Sequence, residues 1–182
     1  MNIAFNVNQA FKLVYFAQNF AFYKSLTPYR NELEHSYWTY TLNNFLAVAV
    51  LEWCKVFGAR TEDTHWLRNY NEDEKEQLRI ELLASLDITK LQWRQYWEKM
   101  KTFRDMEIAH SESSEMIDRA PDLHIAFAAA CYYYNKVINE LRLSNINDYP
   151  DDLESYYIEV LEQAGELSSC AYEASKHVKD SF

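Results

Sequence analysis

The chain has 182 residues, of which 48% are apolar and 16% aromatic, with two glycines and three prolines. A chain of this length can bury a core without disulfides or a structural metal, and its shortage of turn-forming residues favours long helices joined by short loops. The net charge of −10 disfavours a protein that coats nucleic acid through a broad basic surface, because such binding needs many Lys and Arg side chains.

Apolar residues recur at three- and four-residue steps along the N-terminal third, which is the spacing of one helical face. The pattern predicts a first helix over residues 6–26, ended by the Thr27-Pro28 pair, since the residue before a proline disfavours helical backbone. A second helix is predicted over residues 30–57. Gly58 follows it and is expected to cap it in the left-handed conformation.

The next segment, residues 59–71, has no sustained period and predicts a loop anchored by Trp66. A short third helix is predicted over residues 72–84. Asp87 is expected to cap a fourth helix, because its carboxylate can accept free amide hydrogens of the first turn. The apolar pattern predicts that this helix reaches His110.

Pro121 is expected in the first turn of a fifth helix that continues to Leu143, since proline is tolerated there. A sixth helix is predicted over residues 151–179, with acidic residues first and basic residues, including His177, in its last turn, the order that suits the helix dipole. Together these elements predict an all-α protein: one domain over residues 1–182, folded as an up-and-down bundle of five to six helices.

The three cysteines, Cys54, Cys131 and Cys170, are widely spaced and form no CxxC pair, so we expect buried, reduced thiols in a cytoplasmic protein. The N-terminus lacks the basic start and unbroken apolar stretch of a secretory signal. The longest apolar runs, residues 45–51 and 125–134, are shorter than the roughly 20 residues that cross a bilayer. We therefore expect no membrane span.

Charge is distributed unevenly along the chain. Residues 88–110 carry five Lys or Arg against three acidic residues, whereas residues 148–182 carry nine acidic residues and two lysines. Any contact with phosphate is therefore expected in the segment 88–110. The alternative is a helix whose basic residues only face water.

The most informative motif lies at the end of the fourth predicted helix. Arg104, Asp105 and His110 have the form R-D-x-x-x-x-H, which resembles the signature of the HEPN superfamily of ribonucleases. Further anchors resemble the order seen in HEPN proteins of the abortive-infection type, over roughly residues 40–130: Trp53-Cys54-Lys55-Val56-Phe57-Gly58, His65-Trp66 and Pro121.

Cleavage of RNA without metal needs a proton acceptor for the 2′-hydroxyl and a cation for the charge that grows on the phosphate, and histidine and arginine suit these tasks. The resemblance implies that His110 acts as general base or acid, that Arg104 binds the scissile phosphate and that Asp105 orients the pair. It also implies a metal-independent RNA endonuclease without cofactors that leaves a 2′,3′-cyclic phosphate. The implied setting is phage defence or a toxin–antitoxin system, with an antitoxin or regulatory protein as partner.

On an ideal helix, six steps place His110 about 120° around the axis from Arg104 and about 9 Å along it. Either the helix bends near Ile108 and Ala109, or two chains meet and each contributes both residues to one cleft. The resemblance implies the second arrangement, a homodimer. HEPN toxins that are regulated by tyrosine modification carry the tyrosine just after this histidine, whereas Ser111 follows it here, so such regulation is not expected.

A non-catalytic interaction module is the main alternative. Arg104 would then pair with Asp105 or Glu107, and His110 would stabilise the helix end. An aromatic surface would bind a partner protein or stacked bases, unless its rings belong to the core or to a dimer interface. Its candidate residues are Trp93, Trp97, Tyr132, Tyr133 and Tyr134.

A metal-binding bundle is the third hypothesis. The E-x-x-H spacing, by which one helix offers two ligands in carboxylate di-metal bundles, occurs at Glu32/His35, Glu62/His65 and Glu107/His110. Glu62 falls in the predicted loop, and no paired carboxylates on facing helices can be assigned. Surface ion pairing explains the same spacing.

Overall fold

The structure, a computed structural model, describes residues 2–32, 35–105 and 120–179. Within these ranges the chain is all-α and forms a helical bundle, which confirms the predicted fold class. The described α-helices are α1 (Ile3–Leu26), α2 (Ser36–Phe57), α3 (Glu72–Ser85), α4 (Lys90–Phe103), α5 (His124–Leu143) and α6 (Leu153–Ser175). None of these helices is both long and apolar enough to cross a bilayer.

Helix α1 packs against α2, α5 and α6, and one cluster of buried apolar side chains draws on all six helices. Its largest members include Phe16, Phe20, Trp53, Phe57, Met100, Tyr133 and Tyr134. The two tyrosines keep their hydroxyls satisfied inside this core. Tyr133 donates to the carbonyl of Trp66 at 3.1 Å and Tyr134 to that of Pro150 at 2.6 Å. They are therefore core residues, not part of an aromatic surface.

The predicted loop over residues 59–71 is confirmed, and Trp66 anchors it. The Trp66 side chain is buried, and its backbone amide donates to the carbonyl of Val56 at 2.9 Å. The hydroxyl of Thr64 donates to the carbonyl of Lys55 at 2.8 Å. These bonds fold the loop back over the C-terminal end of α2.

Gly58 does not take the predicted left-handed conformation, since its φ is −77° and its ψ −118°. A glycine is needed there for a different reason. A Cβ atom on Gly58 would lie 2.2 Å from the carbonyl oxygen of Cys54. The close approach lets the chain leave α2 sharply toward the loop.

The prediction of Asp87 as the cap of α4 is wrong, because Thr89 caps this helix. The Thr89 hydroxyl accepts from the amide of Gln92 at 3.2 Å, and the Gln92 side chain accepts from the amide of Thr89 at 2.8 Å. Asp87 instead takes the left-handed conformation, with φ of 50°, in the short link between α3 and α4. Aspartate tolerates this conformation better than most residues.

Three other predicted boundaries move inward. Helix α2 begins at Ser36 instead of residue 30, because His35 caps it and accepts from the amide of Tyr37 at 3.1 Å. Helix α5 begins at His124, so Pro121 lies before the helix and not in its first turn. Helix α6 ends at Ser175, and His177 lies beyond its last turn.

Candidate nucleic-acid interface

The sequence motif begins where α4 ends. The structure brings Arg104 and Asp105 into direct contact: the Nε and Nη2 atoms of Arg104 each lie 2.7 Å from Oδ1 of Asp105. His110 lies outside the described residues, so its place in the predicted site stays a prediction. The sequence-predicted site is therefore described for two of its three residues.

The backbone at Arg104 and Asp105 is π-helical, whereas the preceding residues are α-helical. Arg104 itself has right-handed helical φ and ψ, and its amide donates to the carbonyl of Met100. Residues 106–110 lie outside the described ranges, so the 120° offset expected between Arg104 and His110 stays a prediction.

The Arg104–Asp105 pair fixes the charge of both groups. The hydrogen bond from Arg104 lowers the pKa of the Asp105 carboxyl, and the same bond raises the pKa of Arg104. The Arg104 side chain is 21% exposed, and Asp105 occupies its Nε edge with one oxygen. A guanidinium has five N–H donors in a planar fork, so this pairing leaves donors that can face a phosphate.

Cys54 lies close enough to Arg104 for their charges to interact, but it is not a nucleophile at neutral pH. Burial raises the pKa of the Cys54 thiol to about 12, and the nearby Arg104 opposes this shift only in part. Burial likewise raises the pKa of Cys131 to about 12. All three cysteines are unpaired, as predicted, but only Cys54 is fully buried among them: Cys131 is partly buried and Cys170 is exposed, which corrects the expectation that all of them are buried.

One face of α4 forms a basic stripe that leads to Arg104. Its members, spaced four, three, four and three residues apart, are Lys90, Arg94, Trp97, Lys101 and Arg104. This spacing keeps side chains on one side of a helix, over a length of about 21 Å. The Lys101 ammonium lies 4.5 Å from the centre of the Trp97 ring, a cation–π contact.

A cavity of about 300 Å³ opens beside the first half of the stripe, between the end of α2, the loop, α3 and α4. We call it the tryptophan cavity, because Trp66, Trp93 and Trp97 all line it. Phe57 and Gly58 complete the wall on the side of α2. Its charged lining residues are Arg60, Glu76, Arg79, Lys90 and Arg94.

The rings of the tryptophan cavity are held by the core behind them. Trp93 packs against Trp53 and Phe57 at 6.0 and 6.2 Å between ring centroids. The indole N–H of Trp97 donates to the carbonyl of Phe57 at 2.7 Å. The cavity wall is therefore fixed by packing and hydrogen bonding.

Four cations and one carboxylate surround this cavity, although the whole chain is strongly acidic. Arg79 pairs with Glu76, and Arg94 with Glu98, each at 3.0 Å. Arg60 and Lys90 are exposed and form no ion pair with any residue in the described ranges. The cavity therefore has an excess of positive charge.

His65 is buried in the wall of the cavity, and the nearby positive charges affect its pKa. Burial lowers its pKa to about 4, with further lowering by Arg60, Arg79 and Lys75. Its imidazole is therefore neutral at pH 7, and Nδ1 accepts from the amide of Leu67 at 3.3 Å.

A wider groove of about 1,060 Å³ lies between another side of α4 and residues 120–125. Its charged lining residues are Glu98, Lys99 and Asp122. With two carboxylates and one ammonium, this groove is less suited to a polyanion than the tryptophan cavity.

No group of three or more His, Cys, Asp or Glu side chains suited to a metal ion occurs among the described residues. Glu32 instead accepts a hydrogen bond from the Tyr172 hydroxyl. His65 uses Nδ1 for the Leu67 amide, and Glu107/His110 lies outside the described ranges. The described residues therefore give the metal-bundle hypothesis no set of ligands that could hold a metal ion.

Sequence reasoning missed Arg60 and Arg79 as parts of a site, and it named His65 only as a motif anchor and as half of an E-x-x-H pair. They come from the loop and α3, well before the motif, and only the tertiary fold brings them to α4. Lys90 and Arg94 carried a usable signal, since they belong to the basic segment 88–110. Comparisons with protein-family models, with curated proteins and with solved structures found no match, so the case for function rests on these residues.

Proposed function

We propose that this chain is a metal-independent RNA endonuclease of the HEPN type. The observation that supports this best is the placement of Arg104. Its guanidinium is partly exposed, is oriented by Asp105 on a π-helical turn and ends the basic stripe of α4. A fixed cation at the end of a basic track suits a polyanion whose cleavage builds charge on one phosphate.

In this proposal His110 takes the proton from the 2′-hydroxyl of the RNA. The 2′-oxygen then attacks the adjacent phosphorus, the bond from phosphorus to the 5′-oxygen breaks, and a proton passes to that leaving oxygen. The products are a 2′,3′-cyclic phosphate and a 5′-hydroxyl end. Arg104 stabilises the charge on the phosphate during this transfer, and Asp105 holds the guanidinium in place.

The proposal includes a homodimer, in which two chains join their motif segments so that Arg104 and His110 share one cleft. It also includes a cytoplasmic setting in phage defence or toxin–antitoxin control, with an antitoxin or regulatory protein as the further partner. These two parts come from the motif's resemblance to HEPN proteins.

The test is cleavage of RNA by the full chain in excess EDTA, with analysis of the product ends. We expect cyclic-phosphate ends and no loss of rate in EDTA. We expect His110→Ala to lower the rate by about 10²–10⁴-fold, the usual contribution of a general acid or base. Arg104→Ala should lower it by about 10²–10³-fold through lost charge stabilisation.

Matched controls exist in the same chain. Arg142 also pairs with an aspartate, Asp151, but lies at the end of α5. His177 is exposed beyond α6. Arg142→Ala and His177→Ala should keep the wild-type rate. Equal losses in the controls and in the site variants, or no cleavage by any form, would contradict the proposal.

The Arg104–Asp105 ion pair also favours a second candidate, a non-catalytic RNA-binding module, because the carboxylate offsets part of the arginine's charge. The effect of the two site variants on RNA separates the candidates. A nuclease loses RNA cleavage in Arg104→Ala and His110→Ala. A non-catalytic module cleaves no RNA in any form, and both variants bind RNA about as well as the wild type.

A further inference from the structure

We propose that the tryptophan cavity is a base-binding subsite for single-stranded RNA, in which one nucleobase stacks on an indole while Arg60, Lys90 and Arg94 bind the neighbouring phosphates. This inference rests on the RNA-cleaving function proposed above and names how that substrate is held. It concerns residues outside the R-D-x-x-x-x-H motif.

The shape and lining of the cavity suit one flat aromatic group. Its volume of about 300 Å³ lies at the lower end of the range for ligand sites. Trp66, Trp93 and Trp97 contribute indole surface, and the Trp97–Phe57 hydrogen bond fixes one of these rings. Stacking on aromatic rings is the common way in which proteins hold unpaired bases, and it tolerates any base sequence.

The charges around the cavity suit phosphates. Arg60 and Lys90 are exposed and have no carboxylate partner among the described residues, and Arg94 pairs with the exposed Glu98. Surface ion pairs of this kind contribute little free energy, so a phosphate can replace the carboxylate at low cost. The combination of stacking surface and adjacent cations favours a nucleotide chain over a purely apolar ligand.

The cavity and Arg104 also lie on one continuous path. Trp97 and Arg104 are seven residues apart on the basic stripe, which corresponds to about 10 Å along the helix. Lys101 stands between them and contacts the Trp97 ring. A bound strand could therefore reach from the stacked base to Arg104 within a few nucleotides.

The test uses a fluorescent 2′-O-methyl RNA hexamer that carries 5-iodouridine. It lacks the attacking hydroxyl, so its binding is measured without cleavage. We expect the triple variant Arg60→Gln, Lys90→Gln, Arg94→Gln to weaken binding about tenfold or more. The steepness with which the log of the binding constant falls with the log of the salt concentration should decrease by about 2, because each of the three lost phosphate contacts contributes about 0.7. Illumination should cross-link the iodinated base to Trp93 or Trp97.

A control triple variant removes the same charge elsewhere: Lys99→Gln, Arg142→Gln and Lys176→Gln. It should bind the hexamer like the wild type, because these residues lie on the other groove, on α5 and past α6. Equal weakening by both triple variants, or cross-links outside the cavity, would overturn the subsite. If the cavity variant cleaves RNA at the full rate and binds the hexamer like the wild type, the subsite proposal is wrong but the proposed nuclease function stands. If the wild type binds the hexamer in the cavity but cleaves no RNA, the nuclease function is wrong and the subsite stands.

Discussion

At the scale of single residues, local chemistry made part of the site predictable. An arginine and an aspartate carry opposite charges, and the structure shows the Arg104–Asp105 pair that the alternative hypothesis expected. The π-helical turn at the same two residues had no signal in the apolar pattern. That pattern reports which face is buried, not how widely a turn is wound.

His65 gives a pH-dependent prediction at this scale. Its folded-state pKa of about 4 lies below the ordinary value of about 6.5, so the unfolded chain takes up the proton first. The neutral His65 therefore contributes to the stability of the folded state in full above about pH 6.5, and this contribution is lost as the pH falls toward 4. The free energy of unfolding should therefore decline over this window with an added slope of at most about 1.4 kcal/mol per pH unit.

Denaturant unfolding of the wild type and of His65→Gln between pH 7.5 and 4.5 checks this. The variant should show a shallower decline than the wild type. His177→Gln changes an exposed histidine and should keep the wild-type slope. Identical slopes in His65→Gln and the wild type would show that His65 is not held neutral by its surroundings.

At the scale of elements, the periodic pattern located all six described helices but not their ends. Ends depend on single side-chain contacts, and Thr89 prevailed over Asp87 because its capping box with Gln92 satisfies two amides at once. The cavity was not predictable, because the loop and α3 reach α4 only through packing around Trp66 and Trp93. Charge along the sequence still indicated α4 as the basic helix.

Replacing each of the two glycines by alanine is predicted to change the free energy of unfolding in opposite directions. Gly58→Ala should destabilise the protein by about 1–3 kcal/mol, because its Cβ would meet the Cys54 carbonyl at 2.2 Å. Gly165 lies within α6 with no heavy atom within 4 Å of the added Cβ. Gly165→Ala should therefore stabilise the protein by about 0.5–1 kcal/mol. Thermal or denaturant unfolding measures both, and equal effects would contradict this explanation.

At the scale of the whole molecule, acidic and basic regions have separate places. The C-terminal part of the chain is strongly acidic, whereas the basic stripe and the tryptophan cavity form one positive region on α4 and its neighbours. This separation would discourage unselective binding of nucleic acid and direct a strand to α4. In the proposed homodimer, two such regions would meet at one cleft.

Mixing two inactive variants tests the central claim most directly. Arg104→Ala chains and His110→Ala chains are unfolded together and refolded, with native mass spectrometry to measure mixed pairs, and RNA cleavage is then followed. Each mixed pair holds one intact Arg104 and one intact His110, so we predict cleavage well above that of either variant alone. Mixed pairs without recovered cleavage, or chains that stay at the 21.7 kDa of one copy, would contradict a cleft shared by two chains.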